Sequence, residues 1–422
     1  MAVYKLFPTQ DATLYSYYPS MNTGLDAICE VSNTLDPLIA GETPMVSRYL
    51  TQFDTTEINS LINDKMGDTF PHSSSVFLKN FISEAQGVNL DVKVEIRPLA
   101  QSWNNGTGHH LDNPKLENGC SWGWRNFSGS GEWMMSGSEN GFAVVGSYNA
   151  HHTVKGGGSW YEDEWHDNLY VTIGYVNPGY IQQYIQSGSY AVNGYVTPGY
   201  WFSSSLELSN SSQSFAVRDT KDIEVAVTNT VEAWYDGTIP NNGFIVKLSG
   251  SDEFNSSSFK QPILKYYSVD TNTIYPPQLE FRWVDYSSSI SPTSSLIIDT
   301  SDIKLSLSEN PQEFNQNSVN RFHINVSPLY PTRTFQTSSL YTGLNYLPTA
   351  SYYAIKDLDT NDMVINFDTQ YTQISSDSTG NYFDIYMNGL EPERYYAVLV
   401  KTIINGSTLI IDDDNHFKVI NG

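Results

Sequence analysis

The sequence predicts an all-β protein made of two sandwich units, and three observations lead there. The composition is 14% aromatic, with 29 Tyr, 9 Trp and 29 Gly, against only 16% charged residues. That is the vocabulary of strands and turns, since helices favour Ala, Leu, Glu and Lys. Period-2 alternation recurs along the chain, as in half-buried strands, and Pro, Gly and Asn separate the alternating runs at turn spacing. A length of 422 residues suits two or three domains.

The central element is Ser47–Asp54, where Tyr49, Thr51 and Phe53 fall on one parity and Arg48, Leu50 and Gln52 on the other. Neither face is fully polar, so the stretch reads as a central strand with Tyr49 and Phe53 inward and Leu50 beneath a covering loop.

Around it, Val3–Leu6, Ala12–Tyr15 and Ala27–Val31 are short strands separated by Pro8 and by Pro19-Ser-Met-Asn22-Thr-Gly24. Ile58, Leu61, Ile62 and Met66 fall at helical spacing, with Gly67 placed to end the turn. Ser75–Ile82 and Leu90–Leu99 are further strands, the second with the cleanest alternation in the chain. Asn229-Thr-Val-Glu232 has the form of a capping box opening one helical turn, and Asn241-Asn-Gly243 is a turn before the strand Phe244–Leu248. Leu279, Phe281 and Trp283 alternate on a last strand that closes the first unit near Tyr286.

In order along the chain stand Asp11-Ala-Thr-Leu14, Pro19-Ser-Met-Asn22-Thr-Gly24, Arg48-Tyr-Leu50-Thr-Gln-Phe53-Asp54, Trp103-Asn-Asn-Gly106-Thr107 with Ser121-Trp122, and Trp234-Tyr-Asp-Gly237-Thr-Ile-Pro-Asn241-Asn-Gly243. This succession resembles the DNRLRE-type β-sandwich, a module similar to carbohydrate-binding jelly rolls. The resemblance implies a large jelly-roll-like sandwich over residues 1–286, with a long insert at about 123–222 that simple modules lack. In the insert Gly174-Tyr-Val-Asn-Pro-Gly-Tyr180 recurs as Gly194-Tyr-Val-Thr-Pro-Gly-Tyr200, which suits tandem hairpins displaying tyrosines.

Ser287–Ser295 reads as a linker, and residues 296–422 hold about seven short strand signals, which suit an immunoglobulin-like or fibronectin-like sandwich. Gly389-Leu390-Glu-Pro392-Glu-Arg-Tyr395-Tyr-Ala-Val resembles the Gly-Leu-x-Pro-x-x-x-Tyr corner of fibronectin-type domains, which implies a tyrosine hydroxyl tied back to the backbone. Asp412-Asp-Asp414 reads as a hairpin turn.

A formal net charge of -24 argues against nucleic acid and anionic membrane partners, because phosphate binding needs clustered Lys and Arg. The amino terminus shows no basic segment followed by an apolar run, so a cytoplasmic origin is expected. Only Cys29 and Cys120 are present, and they are expected as free thiols rather than a disulfide framework.

Candidate sites come from acidic and aromatic clusters. Trp160-Tyr-Glu162-Asp163-Glu164-Trp165-His166-Asp167 sets carboxylates among indoles; Glu162, Asp163 and Glu164 would suit Ca²⁺, but adjacent acids on one loop fit a glycosidase pair poorly, and a solvated acidic turn is the preferred reading. His109-His110 and His151-His152 read as loop histidines, since no metal-ligand spacing accompanies them. Trp124, Trp133 and Tyr161 are candidates for stacking on sugar rings, while Trp103, Trp234 and Trp283 are expected in the core. No enzyme activity or resident cofactor is expected.

The chain is also similar in style and modules to structural proteins of large contractile-tailed phages. That similarity implies a virion component, made in the host cytoplasm, acting as decoration, neck, baseplate or fibre through contacts with other virion proteins or with its own copies. A carbohydrate-binding or adhesin module recognising a host glycan is the alternative.

Overall fold

The computed structural model describes residues 2–35, 44–67, 70, 75–88, 90–113, 116, 118–127, 131–133, 157–162, 190–192, 195–197, 200–202, 206–208, 211–253, 261–289, 302–308, 310–330, 344–404 and 406–422. The protein is all-β. It divides into two compact units, one of Leu6–Phe70 and Val76–Leu279, the other of Met1–Lys5, Pro71–Ser75 and Glu280–Gly422. The division falls within the strand Gln278–Trp283. Ser287 to Ser289, the start of the expected linker, pair with Ser375–Asp377: Ser289 donates its amide to the Ser376 carbonyl at 3.0 Å, and Ser376 donates to that of Ser287 at 3.1 Å.

The larger unit is organised by an eight-stranded sheet. Its order is Ser212–Phe215, Val92–Pro98, Phe244–Leu248, Pro44–Gln52, Ile28–Leu35, Ile263–Tyr267 and Ile82–Gln86, with Gln10–Tyr15 also pairing to Pro44–Gln52. Both edges of Pro44–Gln52 are occupied: Ser47 pairs with Tyr15 and Ser32, and Tyr49 with Thr13 and Val246. This is the central position that the mixed character of its two faces predicts.

Both faces are buried, each for its own reason. Tyr49 and Phe53 are 1% exposed and point to one side, where Tyr49 meets Tyr266 at 5.9 Å between ring centroids and Phe53 meets Phe244 at 6.5 Å. Leu50, Val46, Leu14 and Ile245 form a second core with Trp103, Cys120, Trp122, Trp133 and Trp160. The cover expected over Leu50 is therefore built from the segment that supplies these indoles, and the start of the insert is part of it. Val92, Val94 and Ile96 are buried while Lys93 is exposed, as their alternation predicts.

Among the described residues of this unit, two helices are longer than one turn. Thr55–Lys65 begins at Asp54, whose carboxylate accepts the Thr56 and Glu57 amides, and Gly67 follows it at φ +94°. Thr228–Tyr235 corrects the capping-box reading: its N-cap is Val227, with no side-chain cap, and Asn229 lies inside the helix and donates to the Glu207 carbonyl at 3.0 Å. The helix seats Trp234 4.6 Å from the Phe244 ring. Gly243 is required at its turn, because at φ +86° a Cβ would lie 2.3 Å from the Thr51 carbonyl oxygen. Of the two Gly-Tyr-Val repeats, the second contributes Tyr195–Thr197, paired antiparallel with Tyr190–Val192. The first lies outside the described residues.

The smaller unit packs two sheets around one core. One sheet runs Ile303–Ser308, Val319–Pro328, Gly380–Tyr386 and Ser375–Asp377. The other runs Glu313–Asn315, His416–Ile420, Tyr395–Ile404, Ser351–Asp357 and Met363–Ile365, with Ser407–Ile411 also on Tyr395–Ile404. Phe322, Phe383, Tyr353 and Phe417 lie between them, and the Tyr353 and Phe383 rings stack at 4.2 Å. Two sheets packed face to face around one core make this unit a β-sandwich. Tyr396, at the final position of the Gly-Leu-x-Pro-x-x-x-Tyr pattern, is buried and donates its hydroxyl to the Glu391 carbonyl at 3.0 Å, while Tyr395 is exposed. Asp412 to Asp414 do not form the expected hairpin turn. Ser407–Ile411 and His416–Ile420 run along one edge of Tyr395–Ile404, and the residues between them bulge outward, two longer on this side than on the partner.

Candidate ligand-binding cleft

The site begins with one asparagine. Asn22 is 2% exposed; its Nδ2 donates to the carbonyls of Asn105 and Cys120, the latter at 2.7 Å, and its Oδ1 accepts the Gly108 amide at 2.7 Å. One side-chain amide thus joins the Pro19–Gly24 turn to the Trp103–Thr107 loop. Gly24 permits the approach, since a Cβ there would lie 2.1 Å from the Asn105 carbonyl oxygen.

Further bonds fix the same two segments against each other. Leu25 donates its amide to the Gly108 carbonyl at 3.1 Å, Leu111 donates to the Met21 sulfur at 3.3 Å, and His110 donates to the Asp26 carboxylate at 3.0 Å. His109 and Asp112 close a tight turn in which the Asp112 carboxylate accepts the His109 amide at 2.8 Å and Leu111 is held at φ +60°. That conformation is uncommon for a residue with a branched side chain.

Between the segments lies a cavity of about 280 Å³. Tyr17, Tyr18, Pro19, Ser20, Met21 and Asn22 line it from one segment, and His109, Leu111, Asp112 and Leu116 from the other. Tyr18 is 38% exposed and meets Tyr17 edge-on at 4.7 Å and His110 at 6.3 Å. Among the described residues of this unit, three of the exposed large apolar side chains, Tyr18, Leu111 and Leu116, line this one cavity.

Titratable groups lie on the strands Gln10–Tyr15 and Ile28–Leu35 and between them. Asp11 accepts the Val269 amide at 2.6 Å, and burial pushes its carboxyl up to about 7, with Asp270 and Asp26 adding to the rise. Burial also raises Asp26, against the opposing effect of the His110 amide and the two histidine rings. It raises the thiol of Cys29 too, and both cysteines are free and buried.

Of the residues singled out from sequence, His109 lines this cavity, and the sugar-stacking candidates Trp124, Trp133 and Tyr161 do not. Trp133 is 2% exposed and donates its indole N–H to the Ser121 carbonyl at 2.9 Å, so it is a core residue with no face to offer a sugar. Trp124 is half-buried on the short strand Trp124–Asn126 and lies edge-on to Phe127 at 5.4 Å. Tyr161 is half-buried on Trp160–Glu162, opposite Trp201, with its hydroxyl pKa raised by burial. Trp103, Trp122, Trp234 and Trp283 are buried. The Glu162 backbone ends a strand opposite Phe202, while its side chain, Asp163 and Glu164 lie outside the described residues. His109 and His110 lie in a loop, and His151 and His152 are outside the described residues. Among the described residues no group of three or more His, Cys, Asp or Glu side chains is placed to hold a metal ion.

Sequence reasoning missed the cleft. Its available signal was the run Tyr15-Ser-Tyr17-Tyr18-Pro19, an aromatic cluster ending at a turn, with an isolated Leu111 in a polar loop.

No family model matches the chain, and no curated protein matches it.

Proposed function

We propose that the chain is a non-enzymatic structural protein of a tailed-phage virion, a decoration, neck, baseplate or fibre component that works through contacts with other virion proteins or with its own copies. The supporting observation is how its motif residues are used. Arg48 is fully buried, with two bonds to Glu253 at 2.6 and 2.9 Å and a third to the Gly157 carbonyl. Asn22 ties two loops, Asp11 holds the Val269 amide, and Trp122 lies over the Arg48 guanidinium at 4.9 Å. These groups fix chain segments to one another, which is the chemistry of a rigid scaffold. The test is mass spectrometry of purified particles. A fixed stoichiometry with capsid and tail proteins is expected, and absence from intact particles would overturn the reading.

A second reading, glycan recognition by an adhesin-like module, is favoured by the tyrosine-walled cleft. Concave sites with apolar and aromatic walls and a few polar groups are the usual form of small-ligand pockets.

A further inference from the structure

We propose that the cleft is a binding site for one neutral pyranose ring, with Tyr18 as the stacking surface and Asp112 as the acceptor for sugar hydroxyls. This deepens the glycan reading and rests on it.

Size and shape select the ligand class. A cavity of about 280 Å³ sits just below the ~300–1,000 Å³ range of typical ligand pockets, so it suits one ring rather than a chain of them. A pyranose has a C–H face that packs on an aromatic ring and an edge of hydroxyls that need partners. Tyr18, 38% exposed and lining the cavity, offers the first requirement, and the exposed Leu111 lines it from the other segment.

Asp112 meets the second requirement. A carboxylate has about four acceptor sites, and the His109 amide occupies one of them at 2.8 Å. The same bond fixes the carboxylate in place, so little ordering cost remains on binding. Charge then sorts among sugars. The chain carries -24 overall, the Asp26 carboxylate lies 3.4 Å from the His109 ring, and the Asp112 carboxylate accepts the His109 amide. Uronic and sialic acids would be repelled from such a field.

The test is saturation-transfer NMR on the intact chain with the methyl glycosides of glucose, galactose, mannose and N-acetylglucosamine, with methyl glucuronide as the anionic comparator. Saturation of at least one neutral glycoside is expected, with none of the glucuronide. Tyr18→Ala should weaken binding at least tenfold, and Asp112→Asn by about tenfold, the usual scale of one hydrogen bond to a charged group. Leu111→Gly removes a lining side chain while giving the φ +60° position the residue that best tolerates it. It should lose binding with an unchanged melting temperature, which separates a lost site from a lost fold.

No transfer to any neutral glycoside, equal transfer to the glucuronide, or full binding by Tyr18→Ala would each overturn the proposal. Failure here leaves the virion reading standing, and absence from particles leaves a positive sugar result standing.

Discussion

Arg48 gives the sharpest test of how the larger unit is held together. Its guanidinium has no exposed area and lies 4.9 Å from the Trp122 ring and 5.2 Å from the Trp160 ring. It bonds both carboxylate oxygens of Glu253, which is also fully buried. Removing one partner of a buried pair strands the other charge and costs about 3–5 kcal/mol. Arg48→Met and Glu253→Leu should therefore each remove a third to a half of a stability on the order of 10 kcal/mol. The double variant strands neither charge and keeps similar volume, so it should recover most of that loss. Urea unfolding followed by tryptophan emission, fitted by linear extrapolation, measures all four corners of the cycle. Two single variants within about 1 kcal/mol of the parent, or a double variant as damaged as the sum of the singles, would refute the reasoning.

Phe53→Ala empties a site in the aromatic core and should cost about 3–5 kcal/mol in the same assay, whereas Gln52→Ala, half-buried and bonded to the Asn241 carbonyl at 3.2 Å, should cost about 1 kcal/mol. Because burial raises the Asp11 carboxyl to about 7 from an ordinary 3.8, the folded state holds this proton more tightly than the unfolded one. Its contribution is full below the unfolded value and is lost as pH rises to about 7; Asp11→Asn should flatten that part of the stability profile between pH 4 and 8, measured by melting temperature across buffers. Tyr396→Phe removes the bond to the Glu391 carbonyl and should lower the stability of the smaller unit by about 1 kcal/mol, read from denaturant unfolding of the whole chain.

Local pattern made much of the fold legible. Tyr49 and Phe53 could be set inward because alternation has a fixed period, and Val92–Pro98 was evident for the same reason. The burial of Arg48 was not legible, since its partner stands 205 positions later in the chain and no local rule links them. Asn229 misled because a capping box is a four-residue pattern, and the strand Ile223–Ala226 brings the chain into the helix one turn's fraction earlier, at Val227. Trp133 lies among Gly and Ser in the sequence, which left its place open; it is buried, and its indole N–H donates to the Ser121 carbonyl. The cleft was hidden because two loops make it, and each alone looks ordinary.

The parallel pairing of Glu313–Asn315 with His416–Ile420 has a mechanical meaning. Glu313 faces Lys418, and Asn315 faces Ile420. When the start of the first strand and the end of the second are pulled apart, such a pair slides along its length, so its hydrogen bonds must fail together rather than open one after another. The Lys418 amide to the Gln312 carbonyl at 2.7 Å and the Gln316 amide to the Ile420 carbonyl at 2.8 Å add one bond at each end. Tension applied at the carboxyl end of this unit thus loads a shear clamp whose second strand also carries Phe417 and Val419 of the core.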